Sequence, residues 1–290
     1  MSKKEKQAFK VLLVTLVLLL VTSSMLFAQS QPRVLTKSFT PDTDRPLQVK
    51  IRGDGAEIHL ESVARNGQGR ARYRYHEDKF SGTLDWVPEM NLFEAELDMH
   101  VSSFDTDEDN HESELEVLLP YNSEVDLDVY LKAGILKLDG ENLTFDNIDL
   151  ALWAGELEAS FPTVSRKVID RIEVDVKLGE LHMENLGNLA FELLDINGFA
   201  GEIVLDFNGE LKMYREARVD LELGSITIIV PVGMVVRARI SKLGFLSEVD
   251  VPGGWRRDGR YVYSPGASRE VADLRLDLQG GIGEIVIIEK

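Results

Sequence analysis

The chain has 290 residues, with 32 Lys plus Arg against 50 Asp plus Glu, a formal net charge of −18 and no Cys. Without Cys there is no disulfide framework, thiolate metal site, Cys nucleophile or lipid attached to Cys. The acidic balance argues against nucleic-acid binding, which depends on Lys and Arg neutralising phosphates, and a chain of this length buries a core without covalent or metal staples.

Lys3, Lys4, Lys6 and Lys10 form a basic head, residues 11–21 are aliphatic apart from Thr15, and Ser23, Ser24 and Ala28 supply small residues before Gln29. That three-part layout is a secretory signal over residues 1–28. Leu26 stands where a small residue is preferred, which keeps an uncleaved anchor over residues 11–28 open as the rival, at the short end of what spans a bilayer. Either way the remainder is expected to be exported, to the periplasm, the envelope or the exterior, with membrane contact only through residues 11–28 and only if they stay uncleaved. Residues 29–46, with Pro32, Pro41 and Pro46, read as an exposed leader.

Residues 47–120 read as an irregular β region. Its apolar positions are Leu47, Val49 and Ile51, then Ile58 and Leu60, Tyr73 and Tyr75, Phe93 to Met99 and Leu115 to Leu119, and Gly53-Asp54-Gly55 resembles a degenerate repeat unit. Asp105, Asp107, Asp109 and Glu116 stand at positions 1, 3, 5 and 12 of a calcium-loop spacing, where alternate residues of a tight loop converge on one hard cation. Asn110 replaces the usual Gly and Glu112 an apolar residue. The alternative is a solvated acidic loop between two strands.

Residues 121–290 carry the dominant pattern. In Ile172-Glu-Val174-Asp-Val176-Lys-Leu178 every second residue is apolar, and after Gly179-Glu180 the apolar series resumes at Leu181 and Met183 with its phase shifted. The construction recurs at Gly134, Gly155, Gly201, Gly224 and Gly283. In each case the residue before the glycine reads as the last inward one. The intervals from Gly134 to Gly224 are 21, 24, 22 and 23, and Gly244 extends the series by 20. Two short strands and a glycine bend per rung of about 22 residues fit a parallel β-helix-like β-solenoid. A glycine before a polar residue also marks a hairpin turn, so an antiparallel β-sandwich of stacked hairpins stays open.

The units Gly-Glu-Leu-Glu, Gly-Glu-Leu-His and Gly-Ser-Ile-Thr-Ile-Ile-Val-Pro, with Tyr263-Ser264-Pro265-Gly266 and the terminal Gly-Gly-Ile-Gly-Glu-Ile-Val-Ile, resemble those of bacterial toast-rack domains. They also resemble putative-adhesin domains and the C-terminal domain of LiaF-like cell-wall stress proteins. The resemblance covers roughly residues 115–290. It implies a β-solenoid-like envelope domain without an established catalytic residue set.

Three further groups are candidate sites. Glu156, Glu180, Glu202 and Glu284 each follow a bend glycine; stacked on one edge they make an acidic ladder for cations or a basic partner, or simply keep an edge soluble. The five His residues, including the outward-reading His59 and His182, show no metal-ligand spacing. Trp255, Arg256, Arg257, Arg260, Tyr261 and Tyr263 form a basic aromatic cluster within an inserted loop over 252–267. Such residues carry binding hot spots and equally make a lid over a solenoid end. The expected function is a non-catalytic exported scaffold or adhesion-type domain without a cofactor, meeting an envelope protein or a cell-wall glycan surface. The alternatives are a membrane-tethered stress-sensing module and a glycan-active solenoid enzyme.

Overall fold

The computed structural model describes residues 32–63, 67–100, 113–165, 167–210, 213–242 and 247–290. Among these, two 3₁₀ turns, Pro88–Met90 and Leu186–Asn188, interrupt an otherwise all-β chain. The first strands are β1 (Arg33–Phe39), β2 (Leu47–Gly53), β3 (Ala56–Val63), β4 (Gly69–Tyr75), β5 (Phe80–Val87), β6 (Leu92–Met99) and β7 (Glu114–Pro120). Longer ones follow: β8 (Glu124–Asp139), β9 (Thr144–Ser160), β10 (Val168–Glu184), β11 (Ala190–Asp206) and β12 (Arg215–Val230). The chain ends in β13 (Val236–Lys242), β14 (Ser247–Asp250), β15 (Arg256–Asp258), β16 (Tyr261–Tyr263) and β17 (Leu274–Glu289).

The six long strands stack in parallel in the order β8, β9, β10, β11, β12, β17, and in every step glycine lies against glycine: 134, 155, 179, 201, 224, 283. Each glycine sits inside one strand with φ between +130° and +148°, so the chain bends and continues in parallel rather than reversing. That excludes the hairpin sandwich and makes the fold a parallel β-solenoid. A Cβ on any of the later five would lie 1.7–1.9 Å from the carbonyl oxygen of the glycine one rung before it. Both the backbone angle and the close approach therefore demand glycine.

At the two ends the rungs are assembled from separate strands. β2 and β3 pair with the two limbs of β8, so the Gly53-Asp54-Gly55 unit is a true rung, and β6 and β7 stack in parallel outside them. At the far end β17 lies between β12 and the split rung β13–β14. Gly283 thus follows Gly224 in space. Gly244, expected to continue the ladder, lies outside the described residues. The N-terminal end is closed by antiparallel strands, β4 on β7, β5 on β6 and β1 on β4. Residues 33–39, expected within an exposed leader, are therefore an edge strand. Asn91 holds the stretch behind it, its buried amide donating to Pro46 O (2.9 Å) and accepting from Asp42 N (2.7 Å).

Inward residues of both limbs meet in one apolar core. In β10 the buried series is Ile172, Val174, Val176, then Leu181 and Met183. Leu178 is not part of it. The same holds for Leu223 and Ile282, which the sequence reading placed inside and the structure leaves exposed. Four residues spanning each bend lie on the outer side of the corner, so inward positions flanking it are five apart rather than three.

At the N-terminal end buried Tyr73 places its hydroxyl 2.9 Å from Ser113 Oγ. Burial pushes its pKa up to about 12 from an ordinary 10.0. The folded state thus holds this proton more tightly than the unfolded chain does, a contribution complete below pH 10 and lost as pH rises from 10 through 12. At about 1.4 kcal/mol per unit it amounts to roughly 2–3 kcal/mol. Urea midpoints are expected to fall across that window in the parent and distinctly less in Tyr73→Phe; parallel pH profiles would contradict the assignment.

Candidate functional site

The outside of the glycine corner is the most distinctive surface. Moving outward from the ladder, one row of residues immediately before the glycines holds Ala154, Leu178, Ala200, Leu223 and Ile282 in register. The row before that places Trp153 and Phe199 on either side of Lys177. Trp153 is 58% exposed, Phe199 46%, Ile282 45%, Leu178 41% and Leu223 39%. Large apolar side chains scattered singly over a surface are ordinary. Five at one corner, on successive strands 4.7–4.9 Å apart, form a continuous apolar ridge.

The residues immediately after the glycines form the other flank. Glu156, Glu180, Glu202, Ser225, Glu284 and Glu248 stand in register on neighbouring strands. The expected ladder of Glu156, Glu180, Glu202 and Glu284 is thus brought together, and Glu248 of the split end rung joins it. About 650 Å³ of largely open space lies over the glycines beside this row, floored by backbone. Glu156 has its pKa raised, first by a hydrogen bond with Glu158, then by burial and by the charges of Glu158 and Glu180.

Several acids of the outer surface away from this row are paired with cations. On the limb preceding the bend, Asp128 pairs with Arg52, Asp195 with Arg171, Glu216 with Arg218 at 2.7 Å and Asp277 with Arg239 at 3.0 Å, while Lys167 bridges Glu124 and Asp146. On the following limb Glu57 accepts from both His59 (2.8 Å) and Lys137 (3.5 Å). Among the described residues no Lys or Arg forms an ion pair with Glu156, Glu180, Glu202, Glu248 or Glu284. Lys177, two residues before its bend glycine, turns to Asp175 at 3.6 Å, and Lys137, opposite Glu158, acts on Glu156 without pairing with it.

The remaining candidates fall elsewhere. Asp105, Asp107 and Asp109 lie outside the described residues. Glu116 is on the outer face of β7, opposite Arg72 of β4 and His59 of β3. His182 is on the outer face as expected, in line with Glu158 and Lys137, but its Nε2 is covered and finds no partner. Among the described residues no three of His, Asp and Glu converge as metal ligands.

The basic aromatic cluster becomes a hairpin, β15–β16, whose second strand pairs antiparallel with β13. It covers part of the last rung's open edge. Trp255 and Tyr263 are buried at 8% and 1% exposure, and Arg256 stacks over the Tyr263 ring at 4.3 Å with Arg237 over Tyr261 at 6.0 Å. Arg256, Arg257 and Arg260 remain exposed. Arg257 donates to Val249 O at 3.2 Å and so closes on β14. Of the six residues, two are thus core of the lid and three are its charged rim.

No family model matches the chain, and no curated protein matches it. Solved structures do. A putative cell adhesion protein from Clostridium sporogenes is 16% identical with a TM-score of 0.42, over 90% of this chain and 100% of its own. A putative adhesin from Bacteroides fragilis is 11% identical with a TM-score of 0.37, over 88% and 97%. One from Parabacteroides merdae has the same identity and TM-score over 90% and 97%. Likeness of this degree gives no residue a role, and the LiaF-like link stays a resemblance of motifs.

The ridge is what sequence reasoning missed. Trp153 and Phe199 fall on outward positions of the alternation, but Leu178, Leu223 and Ile282 stand immediately before their bend glycines, where alternation counted from the preceding limb assigns them inward. Only the positive φ of the glycine, which throws the corner outward, reverses it.

Proposed function

We propose that this chain is an exported, non-catalytic envelope protein that acts as an adhesion-type interaction domain on a rigid solenoid scaffold. The observation that carries the reading is the exposed ridge of Trp153, Leu178, Phe199, Leu223 and Ile282, beside a row of carboxylates. Contiguous apolar surface of this kind marks a contact with another molecule. The rungs behind it supply rigidity, because each is hydrogen-bonded along its length to both neighbours. A glycan-cleaving enzyme needs an acid and a base on opposite sides of a bound sugar, and the corner carboxylates stand in single file along one flank.

The test combines location and binding. The chain expressed in a bacterial host is expected outside the cytoplasm and in association with isolated envelope fragments. Leu178→Asp with Leu223→Asp is expected to weaken that association at least tenfold while thermal unfolding stays within a few degrees, since both side chains are already exposed. Retention in the cytoplasm, or undiminished association of the variant, would overturn the reading.

A further inference from the structure

We propose that the glycine corner docks a cationic amphipathic polypeptide segment, with apolar side chains on the ridge and Lys or Arg side chains against the carboxylate row. This rests on the interaction-domain reading and names the chemistry of its partner.

Two features of the corner carry the inference together. The ridge fixes the shape of what covers it, a narrow apolar stripe running along the stack. From Glu156 of β9 to Glu248 of β14 the carboxylate row passes through five rung steps of about 4.8 Å, or roughly 24 Å. A helix of about 16 residues has that length. The carboxylate row fixes the charge. Among the described residues Glu156, Glu180, Glu202, Glu248 and Glu284 form no ion pair, Glu156 feeling Lys137 only at longer range, whereas the nearby outward acids Asp128, Asp195, Glu216 and Asp277 each form one. Glu156 already shares a hydrogen bond with Glu158 and feels Glu180, so each cation brought alongside relieves repulsion that the free protein bears.

Other occupants fit less well. A second copy offers a matching ridge but brings its own carboxylate row and a formal charge of −18. A neutral glycan gains nothing from unpaired carboxylates, and an anionic surface is repelled. A cationic amphipathic segment satisfies both flanks at once. Complementary charge of this kind chiefly sets specificity and association rate, with a steep salt dependence.

The experiment uses the exported chain and a 16-residue helical Lys/Leu peptide as the probe, with a Glu/Leu peptide of the same length as the control. Trp153 reports docking by a blue shift of its emission, and titration calorimetry gives the Kd. The Lys/Leu peptide is expected to bind and to weaken at least tenfold between 50 and 300 mM salt. Glu156→Gln, Glu180→Gln and Glu202→Gln combined are expected to weaken it at least tenfold, and Leu178→Ser with Leu223→Ser similarly, with melting unchanged. The Glu/Leu peptide is expected not to bind. Equal binding of both peptides, equal binding to the triple Gln variant, or no binding at 50 mM salt would overturn the proposal. So would a parent dimer in sedimentation that Leu178→Ser dissociates, because the occupant is then a second copy. If the ridge variant loses envelope association while the triple Gln variant keeps it, the cationic partner falls and the interaction domain stands; if both keep it, both fall.

Discussion

Gly201→Ala is expected to remove more than about 4 kcal/mol of stability, enough to leave much of the chain unfolded at ambient temperature. The added Cβ would sit 1.7 Å from Gly179 O, at a backbone φ of +148°. Neither conflict has an outlet. Rotating the residue to negative φ straightens the corner and breaks register with β10 on one side and β12 on the other, and moving the carbonyl displaces Gly179, which is locked to Gly155 in turn. Strain at one rung is passed along the ladder. Gly253→Ala is the control, because a Cβ there meets nothing within 4 Å, and its expected effect is within about 0.5 kcal/mol. Urea unfolding followed by circular dichroism measures both. A Gly201→Ala protein unfolding within 1 kcal/mol of the parent would mean that the ladder is not what fixes the corner.

The same glycines show how far the sequence can be read. Their spacing and the phase change across them identify a rung, and the alternation identifies which side chains face the core. Solenoid and hairpin sandwich stay unresolved in one dimension because a glycine before a polar residue serves either; the decision lies in whether the chain reverses after it. Rung order is equally hidden. Gly244 and Gly283 both fit the repeat, and nothing local says that β17 inserts ahead of β13–β14. At the other end, Gly53-Asp54-Gly55 keeps the rung but splits it into β2 and β3, with Ala56 opposite Gly134. Of the candidate site, the acidic row was legible because Glu follows Gly in four units. The ridge was not, because Leu178, Leu223 and Ile282 obey the inward alternation up to the last position and leave Trp153 and Phe199 as isolated outward aromatics. The return turns at the opposite end were also missed, since Asn122, Asn142 and Asn185 adopt positive φ without a repeated motif around them.

Arg215 shows that those return turns contribute as much as the corner does, and Arg215→Met is expected to cost about 2–4 kcal/mol. Its side chain is buried at the entry to β12, donating through Nη2 to Gly187 O at 2.9 Å and through Nε to Leu189 O at 3.2 Å, with the guanidinium 5.7 Å from the Phe191 ring. Burial pulls its pKa down, and Asp273 opposes that shift. A charge removed from water is costly in itself, so replacing a buried ion by an apolar side chain is often neutral when its partners are replaced too. Here two of them are main-chain carbonyls, of the Leu186–Asn188 turn and its exit, which no side-chain substitution removes. Met fills similar volume and leaves two acceptors without donors. The turn is held from its other side by Asn188, which donates to Phe161 O at 3.0 Å and accepts from Glu210 N at 3.0 Å. Arg215 and Asn188 therefore tie three successive return loops through one 3₁₀ turn, and the double variant with Asn188→Ala is expected to lose less than the sum of the single losses by at least about 0.5 kcal/mol. Urea midpoints with an unchanged m-value measure all three variants. An Arg215→Met protein as stable as the parent would show that the burial penalty outweighs its hydrogen bonds, and strictly additive losses would show that the two side chains hold separate loops.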